Sequence, residues 1–366
     1  MPVFFVLIFV TYLLGNIYVF VRGLQALGHF SSVIKVIYCT VFLISALLLL
    51  VMMFMRGSKQ IPITLGHILF QIGTGWLMFI LYMVIFLACT DLIKVFNHSF
   101  QYGFHISLLL TFSLLIYGYI NYQHVNKQVI NIAINKPLLQ GDKLKIVAIS
   151  DWHLGFGSNM NRLKRDIDLI NAEKPDIILI GGDLIDNSII PVIDRQMDKE
   201  LNRLHARMGI YMAPGNHEYI SGFIACREFL RSTSIQLLID SMVTLPCGLQ
   251  LVGRDDYNNR NRLSADDWAI LIDAAKPTIL IDHQPHHLYE AQQMKADLQL
   301  SGHTHNGQVI PIKFLTDYLF EISYGYQKIG QTHYYVTSGL ALWGPPLRIG
   351  SDSEIVVFEC TFAKPE

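Results

Sequence analysis

A helical membrane module followed by an α/β domain is the fold class that this 366-residue sequence predicts, and three observations predict it. Charged residues are nearly absent up to Asn121 and ordinary in number beyond it. Four apolar runs of membrane-spanning length fill the first third of the chain. From Lys145 onward, short aliphatic runs ending in Gly and Asp alternate with helix-like stretches.

The apolar runs cover roughly 3 to 21, 33 to 55, 66 to 90 and 104 to 120, each near the ~20 residues that a helix needs to cross ~30 Å of hydrocarbon. A single first run would read as a secretory signal, but this one lacks a basic start and three more come after it. Helices buried in a soluble bundle would show a polar face, which these runs lack. The reading is therefore a transmembrane module of about four helices over 1–121, integral and multi-pass, with the lipid bilayer as a partner. An even number of spans puts the N-terminus and the following domain on one side. Arg56, Lys59 and Lys127 on that side balance Arg22, Lys35 and Lys94 on the other, and Lys136 tips the count slightly toward a cytoplasmic domain.

Up to Asn121 the only acidic residue is Asp91, so the rest of the chain is mildly acidic, at about −5 by counting. Nucleic acid is not an expected partner, because its binding rests on Lys and Arg neutralising phosphates. The cysteines, Cys39, Cys89, Cys226, Cys247 and Cys360, include no CxxC pair, so neither a disulfide framework nor a zinc ribbon is indicated.

The segment 122–144 is polar with weak apolar spacing and reads as a linker into a domain over 145–366. In that domain Ile146 to Asp151, Ile177 to Asp183, Ile210 to Asn216, Thr278 to His283 and Leu298 to His303 are each rich in aliphatic residues before a polar end. Such runs bounded by Gly and Asp read as strands buried on both faces. Helix-like stretches lie between them at Asn159 to Glu173, Asp194 to Arg207, Gly222 to Ser232, Ala265 to Ala275 and Gln284 to Met294. The alternation argues for an α/β layered domain. His333 to Thr337 and Glu354 to Cys360, with no comparable helix between them, are expected to add antiparallel strands.

Every one of the five strand-like runs ends in a polar cluster: Asp151-Trp-His153, Gly182-Asp183, Gly215-Asn216-His217-Glu218, His283 and Gly302-His303-Thr-His305. In α/β sheets the carboxyl ends of strands are where functional groups gather. Carboxylate, amide oxygen and imidazole without thiolate form a ligand set for Mn, Fe or Zn. Asp151 with His153 and His303 with His305 are i, i+2 pairs, which extended backbone would point to one face. The donors outnumber the three or so protein ligands of a single catalytic zinc. Two ions bridged by a carboxylate, by contrast, clamp the attacking and leaving oxygens of a phosphoester displacement.

The ordered blocks Asp151-Trp-His153, Gly182-Asp183-Leu-Ile-Asp186, Gly215 to Glu218, His283-Gln-Pro285 and Gly302 to His305 resemble the calcineurin-like metallophosphoesterase family across essentially all of 145–366. Gly253-Arg-Asp-Asp256 and the run Ser338 to Arg348 are similar to its membrane-associated branch, which includes transmembrane proteins with a metallophosphoesterase domain. The resemblance implies a two-sheet β-sandwich flanked by helices and a cofactor of two divalent metal ions, Mn, Fe or Zn. It implies that Asp151, His153 and His305 hold the first ion, Asp183 bridges, and Asn216, His283 and His303 hold the second. His217 would be catalytic, acting on the leaving-group oxygen, and Asp186 would orient a histidine from outside the ligand set. Glu218 receives no ligand role. Trp152 either walls the site or packs, and Arg254 and Arg348 either bind a second phosphate bidentately or are structural.

The expected activity is hydrolysis of a phosphate ester or pyrophosphate by metal-activated hydroxide, at a bacterial inner, or plasma, membrane. The spans favour a lipid-linked phosphorylated substrate. A non-catalytic membrane scaffold or metal sensor on the same fold is the alternative. It requires a damaged site, and no ligand position is missing. A transporter is disfavoured because the spans lack charged pathway residues.

Overall fold

The apolar runs fold as helices α1 (Pro2–Ala26), α2 (Ser32–Met55), α3 (Ile63–Phe96) and α4 (Gly103–Gln123). The computed structural model describes residues 2–55 and 62–364. Among the described residues, three helices are long and apolar enough to cross a membrane: Ser32–Val51 within α2, then α3 and α4. The first expected span, 3 to 21, begins in residues whose side chains lie outside the described ones. The chain divides into two compact units, Met1–Asn121 with Gly344–Leu347, and Tyr122–Trp343 with Arg348–Glu366.

In the first unit Val19, Phe42, Ile80, Met83 and Leu87 form a buried apolar cluster joining α1, α2 and α3. Asp91, the only acidic residue of that unit, pairs with Arg22 and accepts a hydrogen bond from the Tyr18 hydroxyl at 2.5 Å. The pairing offsets the cost of a carboxylate on an apolar helix.

The second unit holds two six-stranded sheets. Its strands are β1 (Val125–Pro137), β2 (Lys143–Ile149), β3 (Ile177–Ile180), β4 (Ile210–Met212), β5 (Ile235–Leu237), β6 (Ser241–Thr244), β7 (Gln250–Gly253), β8 (Thr278–Ile281), β9 (Leu298–Ser301), β10 (Gly325–Ile329), β11 (Thr332–Val336) and β12 (Ser353–Ala363). One sheet has the order β1-β12-β2-β3-β4-β5 and the other β10-β11-β9-β8-β7-β6. Pairing is parallel except at β12 with β2, β10 with β11 and β6 with β7.

The period of two along each strand sorts side chains into layers. Ile146, Ala148, Ile177 and Leu179 of one sheet and Leu251, Ile279, Ile281, Leu298 and Leu300 of the other fill one apolar cluster between the sheets. Their neighbours Val147, Ile149, Ile178 and Ile180 pack outward with Leu163, Ile167 and Ile170 of helix α5 (Met160–Ala172). On the far side Val252 and Leu280 pack with Trp268 and Ala291. Both faces of the central strands are therefore dry, as aliphatic runs without alternation require.

Helix α5 starts where Asn159 Oδ1 accepts the Asn161 and Arg162 amides. The other helices are short: α6 (Ile190–Asp194), α7 (Met197–Leu201), α8 (Asn216–Ile220), α9 (Phe223–Leu230), α10 (Ala265–Leu271), α11 (Tyr289–Gln293) and α12 (Ile312–Leu319). The expected helix over Asp194 to Arg207 shrinks to α7, and that over Gln284 to Met294 to α11.

Two expectations need correction. The polar segment 122–144 is no linker: β1 occupies Val125–Pro137 and pairs in parallel with β12 at the edge of the sheet. Only one of its faces is buried, by Ile132 and Ile134, and Asn126 to Gln128, Asn131, Asn135 and Lys136 interrupt the run, which weakens its apolar signal. The two late strands are mixed rather than antiparallel. β11 runs parallel to β9 and β12 parallel to β1, each with one antiparallel neighbour.

Candidate metal centre

The polar clusters sit just beyond the carboxyl ends of β2, β3, β4, β8 and β9, with both sheets contributing. Backbone hydrogen bonds hold the loops in register, with the Asp151 amide donating to Gly182 O and the His153 amide to Asp183 O, both at 3.0 Å. Asp151, His153, Asp183, His303 and His305 all have φ between 48° and 72°. The i, i+2 pairs therefore converge through left-handed turns and not, as the spacing suggested, through extended backbone. Each such residue costs ~1–3 kcal/mol, and strain of this kind persists where surrounding structure enforces it, often at functional sites. Two glycines permit the approach. A Cβ at Gly215 would lie 2.2 Å from Asp183 Oδ1, and one at Gly302 would lie 2.2 Å from Asp151 Oδ2.

The donor atoms meet in overlapping groups. Asp151, His153 and His305 form one, and Asp183, His283 and His303 another, with the ligand atoms of each within 4.8 Å of one another. His153 Nε2 is 3.0 Å from His305 Nε2, and His305 Nε2 is 3.4 Å from Asp151 Oδ1. In the second group His283 Nε2 is 3.1 Å from Asp183 Oδ2. Asn216 Oδ1 joins it, 3.2 Å from His283 Nε2 and 2.9 Å from His303 Nδ1. His153 Nε2 lies 3.9 Å from Asp183 Oδ2, so Asp183 stands between the two groups. Gly181 O accepts from His283 Nδ1 at 2.7 Å, which orients the ring with Nε2 toward Asp183 and Asn216.

His217 is also within reach, since it groups with His153 and Asp183. Its Nδ1 is 2.6 Å from Asp186 Oδ1, and its backbone amide donates to Asp183 Oδ1 at 2.7 Å. The seven candidate donors, His217 and Asp186 therefore lie in one cluster, and Asp151, Asp183, Asp186 and His283 are almost wholly inaccessible to solvent.

The electrostatics of the cluster call for positive charge. Burial pushes the Asp151, Asp183 and Asp186 carboxyls up, but the surrounding imidazoles outweigh it and hold all three well below the usual range. Burial lowers His153 while Asp151, Asp186 and Asp183 push it up to about 10, and His283 is raised well above its ordinary value by Asp183. Burial wins at His303, lowered to about 4, and at His305, lowered well below its ordinary value. Three buried carboxylates so arranged, with an amide oxygen and imidazoles beside them, suit hard or borderline divalent cations, which would take the place of the protons on His153 and His283.

Glu218, which the sequence left without a ligand role, acts as a clamp. Its carboxylate accepts the amides of Asp183 at 3.0 Å, Ile185 at 2.9 Å and Gly215 at 2.8 Å, fastening the loops after β3 and β4 to each other. Burial and the charge of Asp183 push it up to about 7.

The arginines are structural. Arg254 is buried and paired with Asp282 and Glu290. Arg348 is buried and donates to the carbonyls of Ser338, Gly339, Ala341 and His305. Neither is open to a second phosphate. Trp152 packs, its indole nitrogen 3.4 Å from Asp166 Oδ2. No sequence pattern singles out Phe320, whose ring stands edge-on to His303 at 6.0 Å and stacks on His286 at 5.0 Å.

A family model for calcineurin-like phosphoesterases matches residues 144–307. An uncharacterized metallophosphoesterase of Campylobacter jejuni is 31% identical over 360 residues, covering 94% of each chain. One from Helicobacter pylori is 36% identical over 222 residues, 58% of each chain. A Danio rerio transmembrane protein with metallophosphoesterase domain is 31% identical over 268 residues, 68% of this chain and 61% of that one. With similarity along nearly the whole length of the Campylobacter protein, this chain belongs to the calcineurin-like phosphoesterase family.

Proposed function

We propose that the protein is a membrane-anchored phosphoesterase that uses two divalent ions to hydrolyse a phosphate ester or pyrophosphate. The observation that carries this reading is the convergence of seven donors, Asp151, His153, Asp183, Asn216, His283, His303 and His305, from the strand ends of both sheets. Asp151, His153 and His305 would hold one ion, Asn216, His283 and His303 the other, with Asp183 shared. When bound, such ions act as Lewis acids toward phosphoryl oxygens and lower the pKa of water toward neutrality.

The chain's own residues supply the proton. Asp186 accepts from Nδ1 of His217, which fixes the ring and leaves Nε2 to carry the transferable proton. As water adds to phosphorus and the ester P–O bond breaks, Nε2 protonates the departing oxygen and the ring becomes neutral. Asp183 also accepts the His217 backbone amide, tying the acid to the carboxylate shared by both groups.

The helices bear on the substrate class. With α4 ending at Gln123 and β1 beginning at Val125, one residue separates a membrane-spanning helix from the catalytic domain. A lipid-linked phosphate or pyrophosphate is therefore favoured. Purified full-length protein with Mn²⁺ is expected to cleave members of a lipid phosphate panel. Efficient cleavage of soluble esters or cyclic nucleotides, with none of the lipid phosphates, would overturn the lipid assignment.

A further inference from the structure

Helix α12, Ile312–Leu319, is amphipathic in the reverse sense for a soluble domain. At 3.6 residues per turn Ile312, Leu319, Leu315, Tyr318 and Phe314 fill one contiguous arc of roughly 160°. All five are exposed, Phe314 at 64% and Tyr318 at 85%, and no residue of the helix is buried. The polar arc is the one held by the protein. Lys313 Nζ donates to Asn306 Oδ1 at 2.6 Å, and Ser323 Oγ donates to Asp317 Oδ1 at 2.5 Å. Trp343, also exposed, is tied through its backbone to Gln308 in the segment leading to the helix.

The helix is coupled to the metal centre at both ends. Asn306, which receives Lys313, comes directly after His305, and Gly307 passes so close that a Cβ there would lie 2.2 Å from Lys313 Cα. Phe320, the residue that ends the helix, packs against His303 and His286.

The geometry points to α12 as an interfacial helix that lays its apolar arc into the surface of the bilayer beside the metal centre. Apolar arcs with aromatic residues outward and polar groups opposite are what such helices require, and Trp and Tyr favour the headgroup level. One further observation selects a bilayer over a second copy or a protein partner, and the length of the helix is compatible with it. The domain starts one residue after a membrane-spanning helix, so lipid is always within reach of the chain. At eight residues α12 is about 12 Å long, enough for shallow insertion. The inference rests on the membrane-anchored part of the proposed function and extends it, since it would bring a lipid-linked phosphate to the site without leaving the membrane surface.

The test uses full-length protein with Cys39 and Cys89 replaced by Ser, the remaining cysteines being buried. Nitroxide labels are attached at Phe314→Cys, Tyr318→Cys and Asp317→Cys, and the protein is reconstituted in phosphatidylcholine/phosphatidylglycerol vesicles. Collisions with oxygen, which partitions into lipid, are expected to exceed those with a water-soluble nickel chelate at 314 and 318, and the order should reverse at 317. Adding Leu315→Glu should shift label 314 toward the chelate. Dominance of the chelate at all positions would place the face in water. Exclusion of both probes would place it under protein, and either result overturns the inference. No turnover is needed, so failure here is distinguishable from failure of the phosphoesterase reading.

Discussion

Asp186 Oδ1 lies 2.6 Å from Nδ1 of His217, the first from the loop after β3 and the second from helix α8, which follows β4. An imidazole held this way has one nitrogen committed to orientation, which leaves the other for the proton transfer proposed for it. His217→Ala is expected to lower kcat by ~10²–10⁴-fold, with the larger loss on alkyl esters and the smaller on aryl esters whose leaving groups need no proton. Metal content should stay at the wild-type level. Because His217 also lies near His153 and Asp183, loss of one ion per chain would instead make it a ligand.

Asp186→Asn should leave the ring in place but weaken its orientation. A fall of ~10–100-fold in activity with unchanged metal content is expected, the usual scale for a group that orients a metal-site histidine. A drop equal to that of His217→Ala would mean that Asp186 does more than position.

His303 and His305 are two residues apart in sequence, yet they belong to different donor groups. His303→Ala should weaken the ion near Asn216 and His283, and His305→Ala the ion near Asp151 and His153. Metal analysis after dialysis against graded chelator is expected to show one ion lost first in each variant. Retention of both ions in both variants would refute the division.

Glu218→Gln tests the clamp between the loops after β3 and β4. Glutamine keeps one acceptor oxygen and brings an NH₂ toward amides that already donate. Leaving a buried amide unmatched costs ~1–3 kcal/mol, so thermal unfolding of the detergent-solubilised protein should begin at lower temperature. Activity should fall with it, because Asp183 loses its backbone tether.

Arg348→Met should destabilise the domain without changing substrate preference. Its guanidinium serves the carbonyls of Ser338, Gly339, Ala341 and His305, and hydrogen bonds from charged donors are worth ~1.5–3 kcal/mol. A selective loss of affinity for diphosphate-containing substrates with normal unfolding would return Arg348 to a binding role.

The architecture and the candidate donors were legible for the same physical reason. Strands buried on both faces must be continuous aliphatic runs, and Ile146 to Ile149, Ile177 to Ile180 and Ile279 to Ile281 are. The polar residue at the end of such a run marks a strand end, so Asp151, Asp183 and His283 stood out without any contact information. The edge strand β1 was not legible, because its buried face shows only at Ile132 and Ile134 amid polar residues. Nor was the left-handed backbone at His153 and His305, which depends on loops meeting across the two sheets. The arginines Arg254 and Arg348 resemble phosphate binders in sequence, and only burial and partners separate a structural guanidinium from an available one. Helix α12 would read by periodicity as facing a core, and only its exposure shows the reverse.

Metal-dependent hydrolysis is tested most directly by stripping full-length protein with chelator, reloading it with Mn²⁺, and measuring ion content and bis(p-nitrophenyl) phosphate cleavage together in wild type and Asp183→Asn. Activity should vanish on stripping and return as about two ions bind per chain, while Asp183→Asn binds fewer and stays inactive. Hydrolysis that survives removal of the ions, or full activity in Asp183→Asn, would contradict the assignment of this cluster as a dinuclear phosphoesterase centre.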